Sequence, residues 1–298
     1  MANESSLETS GTEAGTSGSQ FRRFWRVFLG RGVVFFGTVV IVIFIFVAIF
    51  APLLAPYDPY KPDLSNSLSK HSKTNLLGTD VLGRDILSRI IYGARTSITI
   101  GLVVVSVAAI AGMILGLLAG YYGGWTYTII MRLIDAMMAF PMIIVALVIA
   151  AILGSGVKNV IIALSVGVIP GYARLMCAQV LHIKENDYIM AERSMGAMSF
   201  RIMVYHIIPN SLPPCIVMVT MMLGVVILAE AGLSFLGVGI TPPTAAWGSM
   251  VNDGREYLVV HPMLSIAPGF ALMLVVFAFN MVGDGLRDAL DPRLRGLI

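Results

Sequence analysis

The sequence predicts an all-α membrane protein with six transmembrane helices, and three observations lead to this prediction. Hydrophobic residues make up 57% of the 298 residues and charged residues only 12%, about half the charged share of a soluble domain. The apolar residues are gathered into runs, several of which reach the roughly 20 residues that a helix needs to cross a bilayer. The net charge is only +3 and the basic residues lie among acidic ones, a pattern that argues against nucleic-acid binding.

The six predicted spans cover residues 32–54, 97–121, 136–153, 160–180, 213–239 and 263–283. The fourth span is the least regular, because Pro170, Gly171 and Arg174 interrupt it. Four arginines at positions 22, 23, 26 and 31 precede the first span. Basic residues favour the cytoplasmic side of a membrane, so we expect the N-terminus in the cytoplasm. An even number of spans then places the C-terminus there as well.

The segments outside the spans differ in composition. Residues 1–20 are rich in Ser, Thr, Gly and Glu and contain no Lys or Arg, which predicts a disordered cytoplasmic tail. Residues 21–31 form a basic segment beside the membrane, and residues 55–96 an external loop with an interfacial helix. The remaining core, 97–285, holds five helices and a cytoplasmic loop at 184–212. Residues 286–298 form the cytoplasmic C-terminus.

The loop at 184–212 is charged, although apolar runs lie on both sides of it. Asn186 and Asp187 suit the N-terminus of a short helix, and Gly196 suits its end because glycine adopts the left-handed conformation at no steric cost. Ser199 is expected to cap a second helix. The prolines at positions 209, 213 and 214 are expected to end that helix before the fifth span.

Apolar residues on this loop follow helical spacing. Met195, Met198, Ile202 and Tyr205 are expected to share one side of it. Two interpretations remain open from the residues alone. The loop is either an amphipathic segment resting on the lipid surface or a docking site for a soluble partner.

The spacing around Gly196 resembles the EAA loop of ATP-binding-cassette (ABC) importer permeases, since an alanine-led segment precedes it and His-Ile-Ile-Pro follows ten residues later. The resemblance implies coupling helices that sit in a cleft of a cytoplasmic ATPase. Two positions depart from the family pattern, with Met190 in place of glutamate and Glu192 in place of alanine. The coupling residues implied are Ala191, Glu192, Arg193, Gly196, Ser199, Arg201, His206 and Pro209.

Three further stretches narrow the resemblance to the C-type subunit of the dipeptide, oligopeptide and nickel permeases. They are LLGTDVLGRDILSRIIYGARTS at 76–97, LSFLGVGITPPTAAWGSM at 233–250 and FNMVGDGLRDALDPR at 279–293. This resemblance implies the fold of an ABC importer permease and a prokaryotic plasma membrane, the inner membrane in Gram-negative cells. It also implies a heterodimer with a B-type permease, two cytoplasmic ATP-binding subunits and an external substrate-binding protein. Peptides are the expected substrates, with nickel chelates, glutathione-like peptides and oligosaccharides as alternatives.

The external segments carry two groups of candidate residues. Asp80 with Arg84, and Asp85 with Arg89, are spaced four apart with the acid first, which favours a helix along the membrane over a substrate contact. After the fifth span, Pro242, Pro243 and Trp247 are expected near the membrane interface. The resemblance implies that they face the binding protein, although a plain interfacial re-entrant helix fits equally well.

Within the spans, one polar residue stands out. Glu230 lies inside the fifth apolar run, where an ionisable group is expected to face a protein interior or a water-filled cavity. It is a candidate for the translocation pathway, or else for a structural role such as a hydrogen bond to the sister subunit. Asn280 is a second pathway candidate. Small residues at positions 108, 112, 116 and 120 repeat every four residues, which predicts close helix packing.

The motifs that the sequence lacks also narrow its function. No GxxxxGK[ST] motif is present, so the chain is not expected to bind ATP phosphates itself. The spans contain no grouped His, Asp or Glu of the kind that a zinc protease or a proton relay needs. We therefore expect no catalytic residue, no metal ligand and no cofactor on this chain, with ATP and Mg bound by the partner ATPases. A secondary transporter and a membrane enzyme are the rival classes.

Overall fold

The structure is a computed structural model that describes Phe28 and residues 30–290. This part of the chain is helical, without a β-strand, and the predictions for 1–20, for the arginines before Arg31 and for 291–298 lie outside the described residues. The helices are α1 (Gly32–Ile49), α2 (Ala51–Leu54), α3 (Ile86–Tyr122), α4 (Gly124–Met138), α5 (Met142–Leu153), α6 (Val157–Ile183), α7 (Asp187–Ser194), α8 (Ser199–Ile202), α9 (Ile208–Phe235), α10 (Trp247–Gly254) and α11 (Met263–Leu290).

Five helical segments are long and apolar enough to cross a membrane: α1, α3, α6, the run Ser199–Phe235 and α11. The pair α4 and α5 makes a sixth if it is counted as one span. The predicted all-α membrane fold is confirmed. The third predicted span, 136–153, contains a break, because it includes the end of α4 and all of α5, and these two helices meet at 87°. Pro141 precedes α5, and the residue before a proline is disfavoured in helical conformation, so the helix breaks there.

The second span is longer than predicted. It begins at Ile86, so residues 86–96 form the first turns of α3 and the expected separate interfacial helix is wrong. Asp85 explains this start, because its carboxylate accepts a hydrogen bond of 2.8 Å from the backbone N–H of Ser88 and so caps the helix. At 37 residues, α3 is about 55 Å long, which exceeds the roughly 30 Å hydrocarbon core.

Prolines interrupt the helices less than the sequence suggested. Pro170 lies inside the continuous helix α6. The expectation that prolines end a helix before the fifth span is also wrong, because Pro213 and Pro214 lie inside α9. The two prolines leave the carbonyls of Pro209 and Asn210 without their usual N–H donors. Packing of α9 against α3, α6 and α11 holds the helix together through this part.

The small-residue stripe on α3 packs against α6, as predicted. A Cβ atom built on Gly112 would lie 2.6 Å from the Cβ of Tyr172, and one on Gly120 would lie 2.8 Å from the Cβ of Val180. Distances under 3.0 Å are essentially never seen for real Cβ atoms. Only glycine therefore allows these two helices to approach so closely.

Candidate coupling site

Residues 184–207, here named the elbow segment, form a bent helical unit at the C-terminal end of α3. Helix α7 runs from Asp187 to Ser194, and α8 begins at Ser199. Gly196 between them has φ +82°, the left-handed conformation that glycine adopts without strain. The predicted first short helix and the glycine joint are confirmed, but the second helix is not a separate short one, because Ser199–Phe235 is a single helical run into the fifth span. The N-cap of α8 is Met198, one residue before the predicted Ser199.

The inner side of the elbow segment is packed into the helix bundle. Ile189 of α7, Ile202 of α8 and Ile207 have fully buried side chains. They share a hydrophobic cluster with Tyr121 at the end of α3 and Val180 near the end of α6. The elbow segment therefore rests on the ends of the two helices that pack most closely together.

Polar contacts also connect the elbow segment to α3. The Lys184 ammonium donates to the Gly120 carbonyl at 2.9 Å. The Arg193 guanidinium lies 5.2 Å from the centroid of the Tyr121 ring, a cation–π geometry. Both contacts involve the last turn of α3, one from Lys184 just before α7 and one from Arg193 within it.

Glu192 and His206 connect the two arms of the elbow segment. Glu192 Oε1 on α7 lies 3.4 Å from His206 Nε2, which belongs to the π-helical turn Met203–Ile207. Both side chains are partly exposed, so this contact is worth at most about 1 kcal/mol. The unusual glutamate at position 192 thus has a partner within the same loop.

The outer side of the elbow segment is apolar and exposed. The side chains of Met195, Met198, Phe200 and Tyr205 are all largely exposed, with Met198 at 80%. We name these four residues the apolar face. Ile202 was expected on it, but its side chain points into the bundle and is fully buried, whereas Phe200 was missed. Of the other predicted coupling residues, Ala191, Ser199, Arg201 and Pro209 are also exposed.

Glu230 lies in a hydrogen-bonded network that is closed within this chain. Its side chain is fully buried, and Oε1 accepts from the Ser234 hydroxyl at 2.8 Å while Oε2 accepts from Ser97 of α3 at 3.3 Å. The same Ser234 oxygen accepts the backbone N–H of Ile240 at 2.9 Å. The sequence did not single out Ser97 or Ser234. This arrangement favours the structural interpretation, and a pathway role for Glu230 stays a prediction.

Asn280 is half-buried on α11, beside α9. Its Oδ1 lies 3.5 Å from the position that a Cβ on Gly224 would occupy. A cavity of about 670 Å³ opens near the C-terminal ends of α6 and α11 and the N-terminal half of α9, and is lined in part by Met218, Met221 and Met222. These methionines border open space, and the flexible methionine side chain adapts readily to such a boundary. The role of Asn280 on the pathway stays a prediction.

Trp247 at the start of α10 differs most from its prediction. Its side chain is fully buried, and Nε1 donates to the Ile90 carbonyl at 3.1 Å. The indole lies directly against Gly93 and meets the Phe44 ring edge-on at 5.8 Å between centroids. It therefore anchors α10 in the bundle and does not face outward. The two predicted prolines, Pro242 and Pro243, are exposed.

Residues 112–296, well over half of the chain, match the family model described as binding-protein-dependent transport system inner membrane component. The chain belongs to this family. Residues 19–73 of this inner membrane component also match the model described as the N-terminal TM domain of oligopeptide transport permease C. The resemblance stated from the sequence is confirmed.

Curated relatives match this inner membrane component over nearly its whole length. The dipeptide transport system permease protein DppC of Alkalihalophilus pseudofirmus is 44% identical over 259 residues, covering 87% of this chain and 85% of the relative. The glutathione transport system permease protein GsiD of Pectobacterium atrosepticum is 44% identical over 276 residues, covering 92% of each. The GsiD protein of Escherichia coli O157:H7 is 43% identical over 277 residues, covering 93% of this chain and 91% of the relative.

Among solved structures, a chain of the MetNI methionine ABC transporter in an inward-facing conformation superposes with a TM-score of 0.57. The superposition covers 69% of this chain and 98% of the MetNI chain. The sequence identity is 19%, so the likeness concerns the fold alone. Family membership makes this protein a multi-pass component of the bacterial inner membrane. It also implies ATP-binding partners and a substrate-binding protein. The orientation of the termini stays a prediction.

Proposed function

We propose that this chain forms half of the translocation pathway of an ATP-driven peptide importer and passes the movement of its ATPases to the helices through the elbow segment. The observation that carries the proposal is the elbow segment itself, which is firmly attached to α3 and α6 on one side and presents the apolar face on the other. In this arrangement the chain binds no cofactor. ATP and Mg belong to two cytoplasmic ATPase partners, a B-type permease completes the pathway, and an external binding protein delivers the substrate.

Docking into an ATPase explains the apolar face better than contact with lipid. Large exposed apolar side chains that lie together commonly mark an interaction site. The elbow segment is attached to the last turn of α3, whose length of about 55 Å carries that end beyond a hydrocarbon core of roughly 30 Å. The face is also flanked by Arg193 and Arg201, two charges that suit the polar rim of a protein interface.

The attachment of the elbow segment supports transmission of movement. The small-residue stripe packs α3 tightly against α6, while Lys184 just before α7 and Arg193 within α7 contact the end of α3. A shift of the elbow segment would therefore move α3 and α6 together as a rigid unit. Rigid-body movement of packed helices between two states is a common form of conformational switching. Closure of the ATPases on ATP would favour one of the two states.

Peptides are the substrate class that the relatives support. A dipeptide permease and a glutathione permease match this chain at 44% identity each, and glutathione is itself a small peptide. We therefore propose di- or oligopeptides as substrates, with glutathione as the second candidate. The direct experiment measures uptake of a labelled dipeptide and of labelled glutathione by vesicles containing the complex and its binding protein. Uptake should require ATP on the ATPase side, and gradient-driven uptake without the ATPases would contradict the proposal.

A substitution on the apolar face tests the coupling role. Met198→Glu places a charge where an apolar contact is expected, and losing one buried methionine side chain costs about 1.5–3 kcal/mol. We expect the affinity for the ATPases to fall at least about tenfold. Val259→Glu is the matched control, because Val259 is 97% exposed and far from the elbow segment. Unchanged co-purification of the ATPases with the Met198→Glu variant would refute the docking site.

A further inference from the structure

The cavity of about 670 Å³ beside α6, α9 and α11 lies at the end of the bundle that carries the elbow segment. Leu175 and Gln179 line it from the last turns of α6, and Asn210 lines it from the start of α9. The Asn210 side chain also donates to the His206 carbonyl at 2.6 Å, which joins the cavity wall to the elbow segment. The volume lies within the roughly 300–1,000 Å³ that small-molecule pockets span.

The guanidinium of Arg287 on α11 is the one charged group among the described residues that line this cavity. Arg287 is exposed, and its side chain makes no ion pair or hydrogen bond with a described residue. Asp284, one turn earlier on α11, is exposed but does not line the cavity. Asp288 is paired with Arg31. The described lining is therefore positively charged, and its cation can be reached from the open space.

Most of the remaining wall is apolar and adaptable. Met218, Met221 and Met222 line it from α9. Methionine side chains adjust to partners of different shape, and for this reason they are common at surfaces that bind many different sequences. A guanidinium, in contrast, selects one chemistry, because its forked N–H groups match the two oxygens of a carboxylate. Together they suit a ligand with a constant carboxylate and variable side chains, and a peptide is such a ligand.

Asn280, the predicted pathway residue on α11, lies on the same face of the helix as Arg287. The two are seven residues apart, a spacing that keeps side chains on one face. Asn280 is therefore about 10 Å nearer the middle of α11. Its Oδ1 lies beside Gly224 of α9, about one turn from Met221 at the cavity. Polar side chains on α11 thus lead from the interior of the bundle to the cavity.

We propose that this cavity holds the transported peptide before its release, with the Arg287 guanidinium bound to the C-terminal carboxylate and the methionines around the last side chain of the peptide. The inference rests on the proposed function, because the substrate of another kind of importer need not carry a carboxylate. The headgroup of an anionic lipid is the competing source of negative charge. The two sources predict different results.

The experiment is equilibrium dialysis of tritiated glycylleucine against the nucleotide-free complex, without binding protein, in phosphatidylcholine nanodiscs. Replacing the C-terminal carboxylate of this dipeptide by an amide should weaken binding at least about tenfold, because a charge-assisted hydrogen bond is lost. This comparison uses the unmodified complex and so does not depend on the folding of a variant. Arg287→Gln should weaken binding of glycylleucine by a similar factor and leave binding of the amide unchanged.

Arg132→Gln is the matched control, since Arg132 is an exposed arginine on α4 that does not line the cavity. It should leave both affinities unchanged. Addition of phosphatidylglycerol to the nanodiscs should also leave them unchanged, whereas a lipid that occupies the cavity would displace the peptide.

The inference is overturned if glycylleucine does not bind, if its amide binds equally well, if Arg287→Gln binds glycylleucine normally, or if phosphatidylglycerol displaces the peptide. ATP-dependent uptake of glycylleucine by the unmodified complex with its binding protein would leave the proposed function intact in each of those cases. Gradient-driven uptake without the ATPases would instead contradict the proposed function.

Discussion

Replacing Gly116 by alanine tests whether the small-residue stripe of α3 sets the distance between α3 and α6. A Cβ at this position would lie 2.2 Å from the Ala173 carbonyl oxygen and 2.9 Å from the Cys177 backbone nitrogen. Ordinary contacts begin at 3.4 Å, and backbone atoms cannot rotate away, so the helices must separate by roughly 1 Å. Overpacking of this kind costs about 1–3 kcal/mol. Alanine regains about 1 kcal/mol of helix propensity, which leaves a net loss of about 1 kcal/mol at the middle of that range.

Thermal unfolding of the purified complex measures this loss. A destabilisation of about 1 kcal/mol should lower the unfolding temperature by about 2–4 °C. Gly269→Ala is the matched control, because Gly269 lies within α11 and its nearest neighbour to a new Cβ is 3.9 Å away. That variant should unfold at the same temperature as the unmodified protein or slightly higher. If Gly116→Ala behaves like Gly269→Ala, the close approach of the two helices does not depend on glycine.

Three further predictions concern single side chains. Ser234→Ala removes a hydrogen-bond donor to the buried Glu230 carboxylate and should lower the stability to thermal unfolding by about 1–3 kcal/mol. We expect no change in which peptides are taken up. A change in substrate preference would instead place the Glu230 network on the translocation pathway. Gly196→Ala puts a side chain at φ +82°, which costs about 1–2 kcal/mol locally. We expect this variant to transport less peptide per ATP hydrolysed, and Gly196→Asn to be less affected. The same ratio of peptide to ATP in both variants and the unmodified protein would show that the joint is not strained. Asp85→Ala removes the acceptor that caps the Ser88 N–H and should destabilise the start of α3 by about 0.5–2 kcal/mol. Hydrogen exchange of the amides in the first turn of α3 measures this loss. Unchanged protection of these amides would show that Asp85 does not cap the helix.

The elbow segment shows which features of the structure could be predicted from the sequence and which could not. Its glycine joint and its first short helix were predictable, because capping and left-handed glycine are local properties of a few neighbouring residues. Which side faces the bundle was only partly predictable. Helical spacing grouped Ile202 with Met198, yet Ile202 is buried and Met198 is exposed. Spacing gives the relative direction of side chains, while the neighbouring helices decide which direction is inside.

The sequence by itself determined that this chain is an all-α membrane protein with six apolar runs, a charged loop built around Gly196, and the motifs of its family. These follow from composition and from spacings of a few residues. Only the tertiary structure decided that Trp247 is an internal anchor, that Ser97 holds Glu230, and that Arg287 lines a cavity without a carboxylate among the described lining residues to balance it. The hydrogen bonds concerned join residues as far as 157 and 133 positions apart. Such partners are chosen by how whole helices pack, and no local pattern in the sequence encodes that packing.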